Sequence, residues 1–127
     1  MSNESEMRAF AKHMIDCVES GDFEGLVACY APDGKVWNNT DQKTISPSDI
    51  AGILQMFDGL VTDKKYDRRE LHVFPGGFVQ RHMICGTRKS DGVRVEMPAC
   101  LLVEVEDGKA VRSFDYIDSA KGAEFMA

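Results

Sequence analysis

The stretch VEDGKAVRSFDYIDSA, Val105 to Ala120, decides how this chain folds. Asp107-Gly108 marks a tight turn, and an apolar, β-prone run follows it. That run carries Asp115 in its middle and Asp118 near its end. A strand that finishes a hydrophobic core has two uses for such an acid. Either it sits on the wet face, or the interior needs it.

Working backwards from this turn, Val93 to Val105 is a long apolar strand, and Ser90-Asp91-Gly92 turns into it. Phe78 to Thr87 is the strand before, reached through Pro75-Gly76-Gly77 from an alternating strand, Lys65 to Phe74. Strands joined by such turns pair antiparallel. Helical spacing takes over towards the N-terminus. Between Glu4 and Ser20, Met7, Phe10, Ala11, Met14, Ile15 and Val18 recur at steps of three and four, and Ser20-Gly21 ends the stripe. Asp22 caps a second helix with an inner face of Leu26, Val27, Cys29 and Tyr30, ended by Pro32-Asp33-Gly34. After the short strand KVWNN, Lys35 to Asn39, Ser46-Pro47-Ser48-Asp49 starts a third helix. Ile50, Ile53, Leu54, Phe57 and Leu60 form its buried stripe. Helices first and a meander afterwards define an α+β fold with helices on one face of a curved sheet.

Length and charge narrow the function classes. One domain spans residues 1–127, long enough to bury roughly two-thirds of its unfolded surface without staples. The net charge of −6 and a pI near 5.0 argue against nucleic acid, which requires a basic stripe. The N-terminus is polar and acidic, and no apolar run is long enough for a membrane, so a cytoplasmic setting is expected. Cys17, Cys29, Cys85 and Cys100 are widely spaced in apolar contexts and read as buried, reduced thiols. His13 and His72 have no partners at metal-binding spacing, and no metal is expected.

Three segments now carry a resemblance: YAPDGKVWNN (Tyr30–Asn39), GILQMF (Gly52–Phe57) and CLLVEVEDGKAVRSFDYID (Cys100–Asp118). Together they resemble the nuclear transport factor 2-like superfamily, in its SnoaL-like and limonene-epoxide-hydrolase-like branch. The resemblance spans Met7 to Ser119. It implies a cone-shaped α+β barrel: a bent, antiparallel, mixed-edge sheet wrapped around the N-terminal helices, with an apolar internal pocket. Ketosteroid isomerases share that cone. Members are commonly dimers through the sheet, and their activities include isomerases, cyclases, hydrolases and non-catalytic modules.

The resemblance places Asp115 where the epoxide hydrolases keep a water-activating carboxylate. In an apolar cone its pKa would be raised, which suits a general base or acid. Trp37 and Asn39 share one face of their strand, where the hydrolases place a Tyr and an Asn to hold water. Asn39 matches that pattern. Trp37 departs from it and would better form an apolar wall, or else sit in the core. Arg81 matches a hydrolase arginine, but Met83 stands where a second acid should be, which counts against a true epoxide hydrolase.

Arg81 and His82 point to opposite faces, and turn chemistry can decide between them. A Ser90-Asp91-Gly92 loop with a bulge pairs Cys100 with His82. A two-residue Asp91-Gly92 turn flips the parity and sends His82 to the apolar face of Val95, Met97, Ala99 and Leu101. With His82 inward, a His82–Asp115 acid–base couple becomes available. An isomerase template fits less well, since Asp41 is the only acid near the first strand, although Tyr66 could face the pocket.

The expected function is a small-molecule enzyme using Asp115, His82 and Asn39, with Trp37, Tyr66, Arg81, Met83 and Cys100 about the ligand. The reaction is a hydrolase-, isomerase- or cyclase-type conversion of a hydrophobic, cyclic substrate, without a cofactor. A non-catalytic ligand-binding or dimerisation module is the alternative. Expected partners are a small hydrophobic ligand and a second copy of the chain, with neither nucleic acid nor membrane.

Overall fold

The computed structural model describes residues 3–127. Helix α1, Glu4–Ser20, starts at a reciprocal cap between Asn3 and Glu6 and ends at Gly21, whose φ of 81° needs no Cβ. It buries Met7, Ala11, Met14, Ile15 and Val18, as the spacing predicts, and Cys17 besides. Asp22 caps α2, Phe23–Ala28, through the Gly25 amide.

That second helix is shorter than its apolar pattern suggests. Tyr30 belongs to strand β1, Tyr30–Asn38, which runs through Pro32-Asp33-Gly34. The register against its neighbour breaks between Tyr30 and Lys35, so Pro32 lies where the ladder asks for no N–H. After β2, Thr44–Ile45, helix α3 covers Pro47–Asp58 with Ser46 as its cap. Its buried stripe is narrower than expected: Ile50 is inside, but Ile53 is 50% exposed and Leu60, beyond the helix, 36%.

Four long strands follow: β3 Val61–Phe74, β4 Gly77–Arg88, β5 Arg94–Glu106 and β6 Lys109–Ile117. Two of the turns are those of the sequence. Asp107 and Gly108 both take positive φ between β5 and β6, and Pro75-Gly76 joins β3 to β4. The sheet has six strands in the order β2-β1-β6-β5-β4-β3. Only β1 and β6 pair parallel among adjacent strands, so the sheet is mixed. It curves without closing, since β2 and β3 remain edges, and the expected barrel is therefore an open cone.

Two irregularities bend β3. Its register with β4 shifts between Thr62 and Lys65 and again between Asp67 and Glu70, with Asp63 and Arg68 each at φ 51°. The bends aim cations at α1. Lys64 Nζ donates to the Val18 carbonyl at 2.6 Å and pairs with Asp58 at 2.5 Å. Arg69 pairs with Asp16 at 2.7 Å and with Glu19 at 3.3 Å. The sheet is thereby fastened around the helix it wraps.

Asp118, just past the end of β6, caps one further helix, α4, Ser119–Phe125. Phe125 is buried and meets Phe57 edge-on at 4.9 Å, which locks α4 over the end of α3. Burying a side chain of that size contributes roughly 1.5–3 kcal/mol.

Candidate active site

Alternation along each strand selects what faces α1. On β6 it sends Ser113 and Asp115 inward, and on β4 Gln80, His82 and Ile84. Tyr66 enters from β3 and Tyr30 from the start of β1. Apolar side chains of α1 and α3, with Tyr30, Tyr66, His82, Ser113 and Asp115, line a partly open cavity of about 50 Å³. A water needs roughly 10–15 Å³ of such space, so the cavity has room for a few waters.

Asp115, the acid in the middle of a core strand, faces inward. Neither a hydrogen bond nor an ion pair joins its carboxyl to the rest of the described chain. By surface area it is half-buried, and the surface it keeps opens on the cavity it lines. Loss of water around the carboxylate, with no cation opposite, pushes its pKa up to about 6.

His82 is 5% exposed, and its ring packs against that of Tyr66 at 5.0 Å with a tilt of 42°. Its Nδ1 lies 3.1 Å from the Gln80 amide nitrogen. Burial, with a smaller contribution from the Arg69 guanidinium, pulls its pKa down to about 4, so the ring is neutral at pH 7. Burial also raises the Tyr66 phenol well above its ordinary value, and the Asp115 carboxylate adds to the rise. Tyr30 and Ser113 share a hydrogen bond of 2.8 Å. No fully buried side-chain polar atom among the described residues lacks a partner. The unpaired ends of Asp115, Tyr66 and His82 therefore keep accessible surface, and these residues meet at the cavity.

His82 and Asp115 share the cavity, but no hydrogen bond or ion pair couples them directly. The parity question at β4 resolves in favour of His82. Ala99 pairs with His82 and Cys100 with Arg81, because Lys89 to Gly92 form a four-residue connection between Arg88 and Val93. That loop is longer than either turn the sequence suggests, yet its parity equals that of the two-residue turn.

The other expected site residues lie elsewhere. Arg81 is on the outer face, its side chain 70% exposed and paired with Glu70 at 3.0 Å. Met83 and Cys100 share that outer face by alternation. Trp37 packs against Tyr116 at 5.2 Å and Phe114 at 6.3 Å, again outside, because its partner in the parallel ladder is the outward Phe114. The Asn39 amide is spent on the backbone of Ile117, donating to its carbonyl at 3.1 Å and accepting from its N–H at 2.9 Å. Only Asp115, His82 and Tyr66 of the expected set come together. Tyr30, Gln80 and Ser113 join them unforeseen. Two-residue spacing from His82 and from Asp115 is the signal for Gln80 and Ser113, whereas Tyr30 is masked by its helical neighbours.

No three His, Cys, Asp or Glu side chains among the described residues converge as metal ligands would. A wider, open groove of about 660 Å³ lies between the start of α1 and the β3–β4 and β5–β6 turns, and shares no residue with the Asp115 cavity. Among the described residues, no helix is long and apolar enough to cross a membrane.

Helices held in an open, curved mixed sheet, with an acid facing the apolar interior, define a ketosteroid isomerase-like cone fold. The SnoaL-like domain family matches residues 11–113, and the chain belongs to that family, within the nuclear transport factor 2-like superfamily. No curated protein matches the sequence. Among solved structures, a candidate polyketide cyclase from Xanthomonas campestris pv. campestris is 13% identical with a TM-score of 0.85, over 99% of this chain and 100% of that one. IdmH from Streptomyces antibioticus, also a candidate polyketide cyclase, is 16% identical with a TM-score of 0.83, over 94% and 96% of the two chains. A Catenulispora acidiphila protein of ketosteroid isomerase-like fold is 13% identical with a TM-score of 0.74, over 84% and 83%. At such identities the likeness is one of fold.

Proposed function

We propose that the protein is a cofactor-free cyclase or isomerase acting on a small hydrophobic, cyclic substrate. One observation carries this reading: the Asp115 carboxyl faces a largely apolar cavity and makes neither an ion pair nor a hydrogen bond there. A structural acid would be paired; a general base needs free lone pairs and a pKa near the working pH. Asp115 takes a proton from a carbon beside a carbonyl, the electron pair moves onto the carbonyl oxygen, and Tyr66 and His82 meet that oxygen. Returning the proton to another carbon gives an isomer. Attack of the enolate carbon on a second carbonyl carbon closes a ring, and the new alkoxide takes the proton back from Asp115. The test is Asp115→Asn assayed on a panel of cyclic enones and poly-ketones, with circular dichroism as the folding control. A folded variant that keeps wild-type turnover on a substrate the parent converts sinks the assignment.

The small size of the cavity favours a second reading, a binding module for a small ligand. A space of about 50 Å³ is too small for a cyclic substrate, so turnover would need the lining side chains to move apart. A module would bind ligands from the same panel and convert none.

The outer face offers the surface for the second copy. Trp37, Phe114 and Tyr116 cluster there, Tyr116 being 48% exposed. Tyr116→Lys turns a dimer into a monomer in light scattering if this face pairs. A cytoplasmic setting suits the four free cysteines.

A further inference from the structure

We propose that Gln80 is a positioning residue that holds the neutral His82 ring with its proton on Nε2, so that the ring offers the cavity a hydrogen-bond donor and Asp115 remains the only base.

Both residues lie on β4, two apart and on one face, Gln80 being 2% exposed. An amide nitrogen can only donate, so at 3.1 Å it makes Nδ1 the acceptor. A neutral imidazole carries one N–H, which then belongs to Nε2. No other described group reaches Nδ1 within hydrogen-bond distance, and burial keeps water from replacing the amide. The groups that face the ring from other strands act through space or by packing. Tyr66 of β3 touches it with its ring tilted by 42°, Arg69 of β3 repels its charged form, and Asp115 of β6 and Tyr30 of β1 line the same cavity. None of them competes for Nδ1.

The consequence is chemical and rests on reading the cavity as an active site. An imidazolium needs both nitrogens as donors, so a donor aimed at Nδ1 works against the charged ring, in the same direction as burial. His82 then works as a neutral electrophile beside the Tyr66 hydroxyl, with Asp115 taking the proton. What the ring meets is a substrate oxygen, not a substrate proton.

The test needs no substrate. Long-range proton–nitrogen NMR on the ligand-free protein at pH 7 reads which His82 nitrogen is protonated. Wild type is expected to show a bare Nδ1 and a protonated Nε2. Gln80→Glu, whose carboxylate can only accept, is expected to move the proton to Nδ1 and to raise the ring's titration point. Packing alone would leave the tautomer where it was. A wild-type ring protonated on Nδ1, or a tautomer indifferent to Gln80→Glu in a folded variant, overturns the proposal. Should Gln80→Glu not fold, the wild-type spectrum alone decides. A survival of activity in Asp115→Asn would sink the enzyme reading while leaving this tautomer result untouched, so the two failures are distinguishable.

Discussion

The carboxamide of Asn39 brackets a single residue, Ile117, accepting from its N–H at 2.9 Å and donating to its carbonyl at 3.1 Å. The side chain thus continues the β1–β6 ladder past its last paired residues, Asn38 and Asp115, where the β1 backbone turns away. Two residues upstream of Ile117 stands Asp115, so Asn39 holds the segment that presents the acid. Each such bond contributes about 1 kcal/mol net, and orphaning the half-buried backbone groups adds to the loss. Asn39→Ala is expected to cost about 1–3 kcal/mol in urea unfolding. A loss near zero would show that the bracket holds nothing.

Activity should follow the state of Asp115. As a base with a pKa of about 6, it makes kcat/KM climb tenfold per pH unit below that point and level off above it. His82 titrates near 4 and adds no limb above it. Asp115→Asn should remove about 10²–10⁴-fold of the rate, the usual share of one general base. A profile that falls above pH 6 would make Asp115 the acid instead.

Stability against pH carries a second signature, because the two buried groups pull in opposite directions. The Asp115 pKa is raised in the folded state, so its favourable contribution is complete below the unfolded value of about 3.9 and is lost as pH rises through about 6. The His82 pKa is depressed, so its contribution is complete above the unfolded value of about 6.5 and is lost as pH falls towards about 4. Between pH 4 and 6 the two slopes offset each other. Thermal melts of wild type should be nearly flat there. Asp115→Asn should melt higher as pH rises through this window, and His82→Gln lower. At pH 7 the Asp115→Asn protein should be more stable than wild type by up to about 2–3 kcal/mol, since each tenfold change in acid strength between the folded and unfolded chain is worth about 1.4 kcal/mol. Parallel curves for all three would refute both buried titrations.

The Lys64–Asp58 pair tests how the cone is fastened. The Lys64 side chain is 8% exposed and also satisfies the Val18 carbonyl at the end of α1. Lys64→Met leaves Asp58 without its partner and the Val18 carbonyl with only the Gly21 N–H at 3.3 Å, and should destabilise the fold by about 2–4 kcal/mol. Adding Asp58→Asn should return part of that loss in a double-mutant cycle.

Much of this was readable in the chain itself. The α1 stripe, the Asp107-Gly108 hairpin and the strands β4 to β6 follow from periodicity and turn chemistry that act over a few residues. Asp115 stood out because a carboxylate in the middle of a core strand demands a reason. The same local logic misplaced Tyr30, whose helical spacing was overridden by pairing with Ala110 eighty residues away in the sequence. It could not foresee the bends in β3 either, since Asp63 and Arg68 take positive φ without being glycine.

What the tertiary structure alone decided is which side of each strand looks inward. A strand's two faces are set by the count of residues in its loop, and the four-residue connection at Lys89–Gly92 sends His82 in and Arg81 out. The parallel pairing of β1 with β6 likewise turned Trp37 towards Phe114 and gave the Asn39 amide to Ile117. Side chains of identical local promise were divided between cavity, outer face and backbone by contacts far apart in sequence. The residue types available to the site were thus written in the chain, while their convergence depended on long-range register, which no short stretch encodes.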